Sequence, residues 1–224
     1  MTIRVTPIPT LIEFATPAIT IGATAAAGDA TTAIRSNSTI AGVALITSVD
    51  NAIARFSGTA GQLQGYTSNT PTISDSGVMV KPGQPAFAAI LGANQLDKTG
   101  DFTVYTVPFN TTRLNQGSVF NTTNYTFTAP VAGQYLLAAT VEYYGATSSA
   151  SQRVLRFITS NLTWSIISNF TLANRFSISA TIIADMDASD TCTVGVDVGG
   201  EGSKVVDIAG DSSGRTNFCG CLIA

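Results

Sequence analysis

Tyr125-Thr-Phe-Thr-Ala-Pro-Val-Ala-Gly-Gln-Tyr-Leu-Leu-Ala-Ala-Thr-Val-Glu-Tyr-Tyr144 is the stretch from which the rest of the chain is read. Tyr125, Phe127 and Ala129 alternate with threonines ahead of Pro130. Beyond Gly133, Tyr135, Leu137, Ala139, Val141 and Tyr143 fall on one face. A period of two is the mark of a strand, because successive side chains point to opposite faces. The Pro-x-x-Gly break predicts a β-meander, two strands joined by a tight turn. The same alternation recurs over 178–184 and 192–198. It returns in the closing run Asn217-Phe-Cys-Gly-Cys-Leu-Ile223, where Phe218 and Leu222 share one face and Cys219, Cys221 and Ile223 the other.

Composition agrees with an all-β chain and excludes several functions. Only 11% of the 224 residues are charged, against roughly 25% in an average globular protein. The surface must therefore be made of Thr, Ser, Asn, Gln and Gly, which suit exposed strand faces and turns and suit helices poorly. The net charge is −3 and no basic stripe exists, so nucleic acid is not an expected partner. No apolar run approaches the length that spans a bilayer, and no amphipathic basic segment suits a membrane surface. Histidine is absent, which removes the commonest general base and the commonest metal ligand. Met1-Thr-Ile-Arg-Val-Thr-Pro-Ile-Pro9 lacks the unbroken apolar region of a signal peptide. Synthesis in a cytoplasm is expected, and the Asn-x-Thr sequons at Asn110, Asn121, Asn124, Asn161 and Asn169 then follow from an Asn/Thr-rich composition.

Along the chain three regions are expected. Residues 1–44 read as an extended arm and connector. Pro7, Pro9 and Pro17 forbid a helix, while Leu11, Ile12, Phe14, Ile19 and Ile21 are too apolar for a free tail. Such an arm lies in a groove on another molecule, or packs as a strand on its own domain. Residues 45–84 read as a short β-region and linker. Ile53-Ala-Arg-Phe-Ser-Gly-Thr-Ala-Gly-Gln-Leu-Gln64 alternates and then turns, and Asp75-Ser-Gly77 signals a hairpin. Lys81-Pro-Gly-Gln-Pro85 makes a stiff linker. Residues 85–224 form the largest domain.

That domain resembles the C1q-like globular head of the complement and tumour-necrosis-factor superfamily. Four phrases carry the resemblance in order: Pro85-Ala-Phe-Ala-Ala89; Tyr105-Thr-Val-Pro-Phe-Asn110 with Asn115-Gln-Gly-Ser-Val-Phe-Asn121; the turn from Pro130 to Tyr135; and the closing Phe218-Cys-Gly-Cys-Leu222. The middle runs over 153–159 and 161–176 match poorly, and no collagen-like Gly-x-y stalk is present. The resemblance implies an antiparallel jelly-roll β-sandwich that lives as a homotrimer. The two apolar faces of the closing run agree with this. One face packs on the opposite sheet, and the other needs a second cover, which a neighbouring subunit supplies.

A second resemblance lies upstream. Arg55-Phe-Ser-Gly-Thr-Ala-Gly-Gln-Leu-Gln64 followed by Thr72-Ile-Ser-Asp-Ser-Gly77 is similar to the short β-repeat phrase of tailed-phage fibre and virion proteins. This resemblance implies a structural protein of a phage particle on the virion surface. With no heptads and no long shaft, a trimeric capsid decoration (cement) protein is expected. Its arm would be clamped on the major capsid protein or another virion protein, and its knob would face outward. A tail fibre or tail-tip protein recognising host glycan or protein is the alternative.

The search for chemistry assigns no catalytic, cofactor-binding or metal-binding residue, and no cofactor. Ser and Cys nucleophiles lack a histidine base, and Glu142 and Glu201 give no sign of a glycosidase pair. Gly195, Gly199, Gly200 and Gly202 read as strand breakers without a following helix, hence no phosphate loop. Cys219 and Cys221, two apart on one strand face, have parallel Cβ vectors that disfavour a disulfide. With Cys192 they read as small buried thiols. Asp185-Met-Asp-Ala-Ser-Asp190 places three carboxylates close together, as a calcium loop does, and some members of the resembled family bind calcium at the trimer apex. Its D-x-D-x-x-D spacing lacks the glycine and glutamate of an EF-hand, so the reading is a hairpin turn between two strands, with calcium as the open alternative. Tyr143-Tyr144 reads as one core and one edge aromatic, with a carbohydrate-stacking surface as the alternative.

Overall fold

The computed structural model describes residues 52–53, 55–57, 62–64, 68–169 and 174–224. The expected arm and connector over 1–44 lie outside the described residues. The chain divides into two compact units, residues 1–67 and 68–224. In the first, β1 (Arg55–Ser57) and β2 (Gln62–Gln64) pair antiparallel, as the alternating run predicts.

The second unit opens with a hairpin of β3 (Thr72–Ile73) and β4 (Met79–Val80). The Asp-Ser-Gly signal is realised here. Ser74 N–H donates to Val78 O at 2.9 Å, Gly77 N–H donates to Ser74 O at 2.8 Å, and Gly77 takes φ +81°. Glycine adopts that conformation without a Cβ penalty. The linker that follows is fastened: Gln84 Nε2 donates to Leu222 O and Gln116 Nε2 to Gln84 O, both at 2.5 Å. Residues 84 and 85 therefore lie within this unit.

Two antiparallel sheets make the body of the unit. One contains β5 (Ala86–Ile90), β6 (Gln95–Thr99), β8 (Thr111–Gln116), β11 (Gly133–Tyr144), β14 (Arg175–Met186), β16 (Val206–Ile208) and β17 (Asn217–Leu222). Its path runs β6-β16-β11-β17-β5-β8, with β14 along the other edge of β11. The second contains β7 (Tyr105–Thr106), β9 (Phe120–Asn121), β10 (Thr126–Thr128), β12 (Gln152–Thr159), β13 (Thr163–Ser168) and β15 (Thr191–Gly199). Its path runs β13-β12-β15-β10-β9, with β7 also on β15. The described residues contain no helix. This is the antiparallel jelly-roll sandwich that the four phrases imply, its sheets joined by connections that cross from one to the other.

Three local expectations are corrected. The Pro-x-x-Gly segment does not close a meander, because β10 and β11 lie in different sheets. The 187–190 turn does not close a hairpin, because β14 and β15 also lie in different sheets. Period two fixes which side chains share a face, not which sheet a strand joins. Both segments are corners, and each supplies the other's hydrogen bonds: Ala129 N–H donates to Asp190 O at 2.8 Å and Ser189 N–H to Ala129 O at 2.7 Å. Third, Gly195 does not break a strand. It lies inside β15, which ends at Gly199, with Gly200 at φ +98° just beyond.

The core lies between the sheets. Phe87 stacks on Phe120 and Phe127, with centroids 5.0 and 4.9 Å away, and meets Phe218 edge-on at 4.8 Å. The closing Phe-x-Gly-x-Leu phrase now has a physical reading. Phe218 is fully buried, and Leu222 packs partly against the core. Between them a Cβ on Gly220 would come within 2.6 Å of Leu137 and 2.8 Å of the Phe87 ring. Only a glycine lets those two side chains meet over the strand. The Pro-x-x-Gly-x-Tyr phrase is similar in kind. Tyr135 packs its ring 5.3 Å from Phe127 and donates its hydroxyl to Val131 O at 2.9 Å, pinning the corner from within. Gly133 makes room for the last strand, since a Cβ there would lie 2.5 Å from Ala224 O.

Candidate functional site

The outer face of the seven-stranded sheet is built by side chains that alternate away from the core. Register sets them in rows. One row runs Ile183, Leu136, Cys221, Ala86 and Gln116 across β14, β11, β17, β5 and β8. The next runs Thr181, Ala138, Cys219, Ala88 and Leu114. Neither row holds a charge, and alanine and cysteine keep its centre low and flat. Ile183 is 55% exposed and Leu114 47%. A third row, from Ser179 to Thr140 to Asn217, turns polar, with Thr140 and Ser179 hydroxyls 2.9 Å apart. Beyond it stands a charged network. Glu142 pairs with Arg175 and, at 3.7 Å, with Arg215, which also reaches Asp211 at 2.6 Å. The two apolar rows therefore lie between this network and the exposed Gln134–Asp185 pair on their other side. Charge depletion over a flat apolar centre marks the core of a protein–protein interface.

Cys219 and Cys221 lie within this face, as the alternation placed them. All three cysteines are free thiols. Burial raises the Cys219 thiol above its ordinary range, with the neighbouring Cys221 adding to it. Burial pushes Cys192, on the core side of β15, up to about 12. The sequence reading missed Leu136, Ala138, Ala86, Ala88, Leu114 and Ile183. The signal was present in Tyr135-Leu-Leu-Ala-Ala139, a continuous apolar run, which is how a strand covered on both faces reads.

The other candidates lie as follows. Tyr143 is buried and stacks on Phe176 at 4.8 Å, while Tyr144 is half-buried on the outer face with the Arg175 guanidinium 5.8 Å from its ring centroid. Glu201 accepts hydrogen bonds from Thr147 N–H and its hydroxyl, at 2.7 and 2.9 Å. In the acidic turn, Asp185 and Asp187 are exposed. Asp190 is taken up by protein donors: Ser160 Oγ at 2.7 Å, Asn161 Nδ2 at 2.6 Å and Asp187 N–H at 2.8 Å. Among the described residues no three His, Cys, Asp or Glu side chains come together as metal ligands. A groove of about 550 Å³ between Pro71, Pro85, Pro130 and Ile223 is mostly apolar, with Lys81 on its wall.

Three turn carboxylates imply a pH dependence. Hydrogen bonds from the side chains of Thr103, Ser160 and Ser213 hold Asp101, Asp190 and Asp211 below the usual carboxylate range. A carboxylate depressed in the folded state contributes stability that is complete above its unfolded value, about 3.9, and is lost as pH falls through the folded value. The denaturation midpoint should therefore hold steady between about pH 7 and 5 and decline below about 4. The decline should be shallower in Asp190→Asn. A midpoint that rises on acidification contradicts this assignment.

No protein-family model matches the chain, and no curated protein matches it. Among solved structures it is similar to the globular domain of a zebrafish complement 1qA protein, at 16% identity and TM-score 0.45, covering 63% of this chain and 98% of that one. It is also similar to murine APRIL, at 13% identity and TM-score 0.44, covering 62% of this chain and 99% of that one. At these values the likeness carries no argument of its own, and the jelly roll rests on the strand order and register above.

Proposed function

We propose that this chain is a self-assembling structural protein: a homotrimer formed through the outer face of the seven-stranded sheet. The carrying observation is the uncharged centre of Leu136, Ala138, Cys219, Cys221, Ala86 and Ala88, rimmed by Ile183 and Leu114. Its flatness lets a second backbone approach closely, and the charged network sets register through partners that stay hydrated. Light scattering at micromolar concentration should give a trimer mass. Leu136→Arg should give a folded monomer, with Cys219 and Cys221 open to a thiol reagent that the trimer excludes and Cys192 protected in both. A wild-type monomer, or equal thiol reactivity in the two proteins, contradicts the interface.

The particle setting is carried by the phage-like phrases over 55–64 and 72–77. In this reading the trimer decorates a capsid, the arm clamps it to the shell, and the knob faces outward. Tying three arms to one site multiplies a weak contact. Deleting residues 2–22 should leave a soluble trimer that no longer binds purified heads. Full decoration by the truncated protein, or intact protein found only on tails, overturns it.

A further inference from the structure

We propose that Phe102 is the stacking platform of a saccharide-binding site on the outer face of the six-stranded sheet, taking a neutral sugar ring. This adds recognition to assembly, lies on the sheet opposite the self-association face, and depends on neither the trimer nor the particle. Phe102 has φ +65°, a left-handed conformation that is an outlier for a bulky residue. It is also 55% exposed, so the strain does not serve core burial. Strained residues cluster at functional sites, where the surroundings hold them in place.

Those surroundings are present. Phe102 N–H donates to Val198 O at 2.9 Å, and Glu201 N–H to Gly100 O at 2.9 Å. Thr103 N–H donates to Asp101 Oδ1 at 3.1 Å, and Thr103 O accepts from the Thr99 hydroxyl at 3.0 Å. The ring is seated as well. Its edge carbons occupy the space that a Cβ on Gly199 would take, and a Cβ on Gly195 would meet Ile158 at 2.8 Å and Val104 at 3.2 Å. Both glycines lie within β15, and neither takes a positive φ. They are glycines for space. One side of the ring rests on backbone and much of the rest is open.

The rim defines the ligand. Asp101 and Thr103 flank the ring in the chain, and Lys204 acts on the Asp101 carboxylate. Gln152 is the cross-strand partner of Gly199. With Glu201, whose N–H bonds Gly100 O beside Asp101, the rim holds two acids, a base, an amide and a hydroxyl: donors and acceptors without one sign of charge throughout. A flat apolar surface inside such a rim matches a pyranose, which has a C–H face and hydroxyls around its edge. A charged ligand would want one sign of charge. Because the platform is already held, little ordering is left for binding to meet.

The test is a saturation-transfer titration of the full chain with methyl β-galactoside, methyl β-glucoside, N-acetylglucosamine, lactose and maltotriose. At least one should bind with a millimolar dissociation constant, its ring C–H protons receiving the strongest transfer. Phe102→Ala should weaken binding by roughly tenfold or more, and Phe102→Trp should retain it. Phe102→Gly should lose it equally while melting at or above the wild-type temperature, because glycine relieves the strained φ. The monomeric Leu136→Arg variant should bind as wild type does. Failure of every probe to bind at millimolar concentration overturns the proposal, as does binding that Phe102→Ala and Phe102→Gly leave unchanged.

Discussion

Truncating Phe218 to alanine is expected to cost about 3–5 kcal/mol, the range for a large aromatic removed from a packed core. Phe218 is fully buried on β17 and touches more of the aromatic cluster than any single face would suggest. Its centroid lies 4.8 Å from Phe87, 5.7 Å from Phe109, 6.0 Å from Phe120 and 6.1 Å from Phe157. These rings come from both sheets, so the cavity would open at the seam of the sandwich. Relaxation to fill it is limited from the other side by Gly220, whose neighbours Leu137 and Phe87 already press on the same strand. The measurement is the urea midpoint at fixed protein concentration, since subunit association would otherwise shift it. Ile223→Ala, at the exposed end of the same run, should stay within about 0.5 kcal/mol of wild type in a monomeric background. A Phe218→Ala loss below about 1 kcal/mol would mean that the cluster is not the organising core.

The strands were legible because their alternation is strong. Phe127, Tyr135, Leu137, Val141, Tyr143, Val194, Val196 and Phe218 all face the core as period two places them. The corners were not, because Pro130-to-Gly133 and 187–190 give the same local turn signal whether the next strand returns to its own sheet or crosses to the other. Only the 2.7–2.8 Å bonds between Ala129, Ser189 and Asp190 reveal that the two turns are one structure, and those bonds join residues some 60 positions apart. The outer face of the seven-stranded sheet was half legible. Cys219, Cys221 and Ile223 were visible as a second apolar face, whereas the row they belong to depends on register with β11, β5 and β14. The Phe102 site was not legible. Gly195 and Gly199 read as breakers, since a glycine that makes room for a distant ring looks the same in sequence as one that bends the chain. Asp197, between Val196 and Val198, lies on the outer face of β15 and is nonetheless only 2% exposed.

Arg156→Met is the second change with a large expected effect, and it follows from that buried Asp197. Arg156 Nε donates to Asp197 Oδ2 at 2.9 Å, its Nη2 reaches the same oxygen, and its Nη1 donates to Ser165 Oγ at 3.0 Å. The pair sits on the outer face of the six-stranded sheet, between Gly195 and Gly199. Its members are unequal: a quarter of the Arg156 side chain meets solvent and almost none of Asp197. Methionine keeps much of the arginine stem's packing, so what is lost is the cation. A carboxylate left buried without it costs about 3–5 kcal/mol, reduced here to about 2–4 because water already reaches part of the pair. Removing Asp197 instead strands the partly exposed arginine and should cost less. Replacing both, Arg156→Met with Asp197→Leu, should recover most of the loss, since an apolar pair of similar volume can match a buried ion pair. Urea denaturation of the three variants at neutral pH reads all of this. A double variant as unstable as the sum of its singles would show that packing, not charge, holds this face together.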